Sequence, residues 1–188
     1  PTFLLYQMLL KREGVDRAKI TELPLKYDLR AFLEKKIDVY PGAFTNEALS
    51  IESMGVEIRQ IAPSDYGIET CGNVVFTTEE MIANHPQTIR RFIRATVKGW
   101  DWCLKAEHWD QAVSYLQRHT DRLERQKELA ALGVNVGLVR PAEEPIPNIG
   151  WISEPKLQAI ITNLREYGVL KRDVSVKDVY TSELLPLP

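Results

Sequence analysis

The 188-residue chain carries 24 basic and 26 acidic side chains, a formal charge of −2, and so offers no long-range attraction to nucleic acid or to an anionic membrane. Its length suits one good core or two small lobes, and its hydrophobic content of 44% is that of a globular protein. No apolar run is long enough to span a bilayer.

In chain order, "FLLYQMLLKREG" places Leu4, Leu5, Met8 and Leu9 at helical spacing and ends on Gly14, which suits a C-terminal cap. No initiator Met, signal peptide or strand precedes it, which reads as a fragment of a longer chain. Three β/α alternations are expected next. "AKITELPL" reads as a strand, "YDLRAFLEKK" as a helix begun by Asp28, and "IDVYPG" as a second strand. "TNEALSIESMG" reads as a helix ended by Gly55, and "EIRQIAPSDYG" as a third strand running into a polar turn. Alternation at this pitch argues for an α/β fold with parallel strands and helical crossovers.

After Gly72 the texture becomes helical. "TTEE" fits a capping box with Thr77 as the N-cap and Glu80 reaching back. Pro86 suits the first position of a further helix with an apolar stripe of Ile89, Phe92, Ile93, Val97 and Trp100. Helices run to about His119, a charged helix extends from Asp121 to near Gly133, and the Pro-rich loop "RPAEEPIPNIG" follows. Ser153 caps the last long helix, with Leu157, Ile160, Ile161 and Leu164 inward and Gly168 beyond its end. The tail adds a helical turn that docks Tyr180 and Leu184. The composition break at Asp65 to Cys71 is the expected boundary between two lobes.

Chemistry-bearing residues are sparse. Cys71 and Cys103 are far apart and belong to no metal-ligand spacing, and His85, His108 and His119 form no triad pattern with a Ser or Cys. No metal, cofactor or catalytic group is implied. Asn46 and Glu47, after Thr45, have two readings: an ordinary helix start that suits the N-terminal dipole, or a carboxylate that takes paired N–H groups from a heterocycle. Tyr40 closes the core or stacks on a planar ligand, and Asp65-Tyr66-Gly67 is a plain turn or a hinge beside a cleft.

The run "GNVVFTTEEMIANHPQTIRRFIRATVKGWDWCLKAEHWDQAV", with "YPGAFTNEA" before it and "WISEPKLQAIITNLREYGVLKRDVSVKDVYTSELL" after it, resembles the substrate-binding proteins of ABC importers. The nearest group is the thiamine-pyrimidine and nitrate/taurine-type family, related in fold to yeast thiamine-pyrimidine synthase. The resemblance implies a type II periplasmic-binding-protein fold, with two α/β lobes, a hinge crossover and the N-terminal half of the first lobe absent from this chain. Residues 1–67 would be the second, inserted lobe without its first strand, and residues 68–188 the returning, mainly helical part of the first. It further implies a non-enzymatic, periplasmic or extracellular membrane-anchored protein that captures a thiamine-pyrimidine-like heterocycle or polar solute and delivers it to an ABC permease. On that map Asn46 and Glu47 match the family's "NE" loop at the cleft, with Tyr40, Thr45 and Tyr66 as neighbours on the same wall. Two alternatives stay open: a ligand-sensing input domain of a signalling protein, and an enzyme like the related pyrimidine synthase, whose Cys-rich motif has no counterpart here.

Overall fold

Local signals for helix ends are frequent in this chain, and the structure follows several of them, among them Gly14, Gly55, Pro86 and Gly168. The computed structural model describes residues 2–24, 28–120, 123–140 and 149–186. The chain divides into two compact units, Pro1–Thr70 with Ala159–Asp173, and Cys71–Gln158 with Val174–Pro188.

The first unit opens with α1, Thr2–Arg12, which turns Met8 into the interior. Its end is closed by two backbone bonds, Val15 N–H to Leu10 O at 2.8 Å and Gly14 N–H to Lys11 O at 3.3 Å. Gly14 has φ 63°, the left-handed geometry that this closure requires and that glycine adopts without a Cβ clash. Glycines 55, 67 and 168 close their helices or turns through the same pair of bonds. Short elements follow: α2 over Arg30–Leu33, a π turn over Phe44–Ala48 that runs into α3, Leu49–Ser53, and a 3-10 turn over Pro63–Tyr66 that packs on α1. Ile51, Ile68 and Ile161 join Met8 in the buried set. Two polar contacts add to this packing: Lys11 Nζ donates to Glu166 O at 3.4 Å, and Asn163 Nδ2 to Gly67 O at 3.4 Å. Near the start of the unit, Arg17 binds both carboxylate oxygens of Glu22, and that guanidinium holds the Glu22 carboxyl below its ordinary range.

The second unit is a helical assembly of α4, Glu79–Asn84, α5, Pro86–Cys103, α6, Trp109–Gln117, and α7, Arg125–Val139. Helix α7 packs on both α5 and α6, and Ile89, Val97 and Val113 are buried. Arg125 ties α7 to α6 by donating to Ser114 Oγ, Gln117 Oε1 and Asp110 O, with an ion pair to Asp110 at 2.6 Å. The corner between α5 and α6 is aromatic. Trp102 stacks on His108 with centroids 4.4 Å apart, and the Trp109 indole N–H donates to Cys103 O at 2.7 Å. Thus Trp102 and Trp109 serve helix packing. The division at Gln158–Ala159 falls within helix α8, Glu154–Glu166, which buries Leu157, of this unit, and Ile161, of the first, as expected. The tail docks Leu184, and the Tyr180 hydroxyl accepts a bond from Ile152 N–H at 3.1 Å.

Several expectations are corrected. No strand is present among the described residues, so the α/β alternation is not formed there. The start of the first expected strand is a 3-10 turn, Arg17–Lys19, because the Asp16 carboxylate accepts the Ala18 N–H and bends the chain. Ile20, Ala43 and Ala62 do have extended dihedrals, but a strand is completed only by ladder bonds to a neighbour. The helix expected from Asp28 shrinks to one turn; Asp28 accepts the Arg30 N–H but lies one residue before the N-cap. At α4 the cap is Thr78, whose hydroxyl accepts the Met81 N–H at 3.2 Å, so the third helical residue is Met81 and the Thr77–Glu80 box is not made. Phe92 is 58% exposed and leaves the apolar stripe. Helix α7 passes through Gly133 to Val139, since its packing on α5 and α6 outweighs glycine's low helix propensity. Asp121 and most of the Pro-rich loop, 141–148, lie outside the described residues.

Candidate functional site

The Pro41-Gly42 segment, which is neither helix nor strand, delivers the chain to Ala43, whose backbone is extended (φ −101°, ψ 143°) and which caps the π turn Phe44–Ala48. The wide turn is marked by the Ala48 N–H reaching back five residues to Ala43 O at 3.4 Å. In an ordinary capping box the returning acid is the third helical residue. Here the extra residue of the π turn makes it the fourth, and that residue is Glu47. Its Oε2 accepts the Ala43 N–H at 2.8 Å, and its Oε1 accepts Asn46 Nδ2 at 3.0 Å. Single π turns of this kind occur frequently at functional sites.

The carboxylate is therefore oriented from two sides and remains an acceptor. Each oxygen has one protein donor, and an ionised carboxylate has about four lone-pair directions in all. A molecule that presents N–H groups to the remaining directions would meet an acid that needs no rearrangement. Glu47 thus finishes a helix start, and its carboxylate keeps acceptor directions beyond its two protein donors.

Of the expected wall, Asn46 and Glu47 are in direct contact. Thr45 is the half-buried second residue of the same turn. Tyr40 is half-buried just before it, with its ring tilted against Phe32 of α2 at 6.3 Å. Tyr66 belongs to a separate turn, Pro63–Tyr66, held against α1. Two participants were missed by sequence reasoning, the Ala43 amide and Gly42. A Cβ placed on Gly42 would lie 2.8 Å from Glu47 Cβ and 3.4 Å from its Oε2. The signal for both was the Pro-Gly pair five and six residues before an acid, a spacing that fits no α-helical capping box.

Among the described residues, no three His, Cys, Asp or Glu side chains are placed to hold a metal ion. Burial pushes the Cys103 thiol up, which keeps it from the thiolate form a nucleophile needs. No described helix is long and apolar enough to cross a membrane.

Comparison with known proteins adds the wider setting. Residues 2–108 match the sequence family described as NMT1/THI5 like. The riboflavin-binding protein RibY of Chloroflexus aurantiacus is 28% identical over 187 residues, covering 92% of this chain and 50% of that protein. The formylaminopyrimidine-binding protein of Halalkalibacterium halodurans is 22% identical over 181 residues, covering 93% of this chain and 53% of that protein. The chain spans about half the length of the curated relatives it matches.

Proposed function

Because the chain belongs to the NMT1/THI5-like family, we propose that it acts as an extracytoplasmic solute-binding protein that captures a small nitrogen heterocycle and hands it to an ABC permease. The ligand class follows the two relatives, one named for riboflavin and one for a formylaminopyrimidine, and a thiamine-pyrimidine precursor belongs to the same chemistry. No bond is made or broken. In the type II periplasmic-binding fold, two lobes close about a hinge, and ligand contacts made only in the closed form stabilise it. Residues 1–67 are assigned to the inserted lobe and residues 68–188 to the returning part of the first. The division of the chain between Thr70 and Cys71 supports that boundary, while Ala159–Asp173 groups with the first unit.

The observation that carries this reading is the Glu47 carboxylate, held by Ala43 N–H and Asn46 Nδ2 with acceptor capacity to spare. A fixed anion of this kind favours a ligand with N–H donors and disfavours oxyanions such as nitrate or a sulfonate. Asn46 supplies a second polar group, and Tyr40, Thr45 and Tyr66 complete the wall, the two tyrosines as stacking surfaces for a planar ring. Calorimetric titration of the natural full-length polypeptide with riboflavin, formylaminopyrimidine, thiamine, nitrate and taurine tests it. One of the heterocycles should bind, and Glu47→Ala should weaken it by about 1–3 kcal/mol, the cost of leaving ligand donors unpaired. Binding that survives Glu47→Ala would return this acid to its helix-start role.

A further inference from the structure

Gly42 stands where almost nothing but hydrogen fits. A Cβ there would approach Glu47 Cβ to 2.8 Å, Cγ to 3.4 Å and Oε2 to 3.4 Å. The closest atom is the root of the Glu47 side chain, which cannot swing aside without moving the π turn that carries it. The next residue, Ala43, donates the N–H that holds Oε2 at 2.8 Å. The segment therefore holds Glu47 by a charge-assisted bond from Ala43, beside a position where any side chain at residue 42 would collide with the acid.

We propose that Gly42 is a positioning residue for ligand recognition: its missing Cβ lets the Pro41–Ala43 segment pass close to Glu47 and aim the carboxylate's free lone pairs at the N–H edge of the ligand. This rests on the reading that Glu47 contacts the ligand. Neighbouring groups explain why placement matters more than presence. Asn46 Nδ2 occupies the other oxygen at 3.0 Å, so the directions left for a ligand are set by where both donors hold the group. A shift that keeps the acid but turns it leaves the ligand's N–H groups badly aligned, and hydrogen bonds weaken steeply with angle.

The test has a ligand-free arm and a binding arm. In the first, hydrogen exchange at the Ala43 amide is followed by NMR; Gly42→Ala and Glu47→Ala should both lose the protection seen in the natural protein. Unchanged protection in Gly42→Ala would overturn the proposal without any ligand. In the second, riboflavin and formylaminopyrimidine are titrated into Gly42→Ala, Glu47→Gln and the double variant. Gly42→Ala should raise Kd about tenfold, the loss expected when one charge-assisted bond goes unmade. In the Glu47→Gln background the same change should add little. An equal loss in both backgrounds would make Gly42 a plain folding residue and overturn the proposal. If Glu47→Gln alone binds as well as the natural protein, the site reading fails first and the proposal falls with it. Ala43→Pro keeps Gly42 but deletes the amide donor. It should reproduce the tenfold loss, and normal binding by this variant would overturn the proposal even if Gly42→Ala did not fold.

Discussion

At the scale of single residues, the chain's turns show what a left-handed position costs. Among the described residues, five segments end through the same pair of backbone bonds, four with glycine at the left-handed position and one with Lys35 at φ 56°. Lys36 N–H reaches Ala31 O and Lys35 N–H reaches Phe32 O, both at 2.9 Å, so the closure is complete despite the Cβ. Lys35→Gly is expected to stabilise the fold by about 0.5–1 kcal/mol, because relief of the Cβ clash exceeds the added unfolded-state entropy. A higher urea midpoint at unchanged slope would verify it, and a lower one would mean that the Lys35 side chain contributes more than it strains. The Glu47 prediction belongs to the same scale. One acid, one amide donor and one absent Cβ decide the geometry, and each can be removed by a single substitution.

At the scale of elements, helix α7 offers a matched pair. Gly133 and Gly137 share the helix, but a Cβ on Gly133 would sit 3.2 Å from two atoms of the Trp109 ring, whereas one on Gly137 meets nothing within 4 Å. Trp109 is pinned by its bond to Cys103 O at 2.7 Å and cannot easily retreat. Gly137→Ala should therefore gain the full helix-propensity difference, about 0.8–1 kcal/mol. Gly133→Ala should lose stability, since overpacking costs about 1–3 kcal/mol against that same gain. Thermal melts of the two variants should move in opposite directions. A rise in both would show that α6 and α7 separate without penalty.

At the scale of the whole molecule, the most exposed apolar run among the described residues is Val74-Val75-Phe76, with Phe76 90% exposed in a segment that is neither helix nor strand. Three consecutive apolar residues of strand-forming type, open to solvent, favour association with other chains. The 188-residue polypeptide is expected to self-associate as its concentration rises. Phe76→Ser should suppress this in sedimentation velocity while leaving helical circular dichroism unchanged. Association undiminished by Phe76→Ser would locate the adhesive surface elsewhere. Val39 and Leu23, 70% and 62% exposed, carry the same apolar surplus in segments where strands were expected.

How much was legible in the sequence follows from the range of each interaction. The ends of α1 and α8, the Pro86 start of α5, the Gly55 and Gly67 stops and the inward Leu157 and Ile161 were all readable. They depend on bonds spanning at most five residues or on a stripe repeated along one helix. Strand pairing was not readable, because β-branched residues set extended dihedrals locally while the ladder needs a neighbour distant in sequence. The persistence of α7 past Gly133 likewise depended on packing against α5 and α6. At the candidate site the sequence alone marked Asn46 and Glu47 as a polar helix start. Only the folded chain decided that a π turn, an amide from Ala43 and the bare face of Gly42 would hold that carboxylate, because the wide turn displaces the acid by one residue from the spacing a helical reading expects.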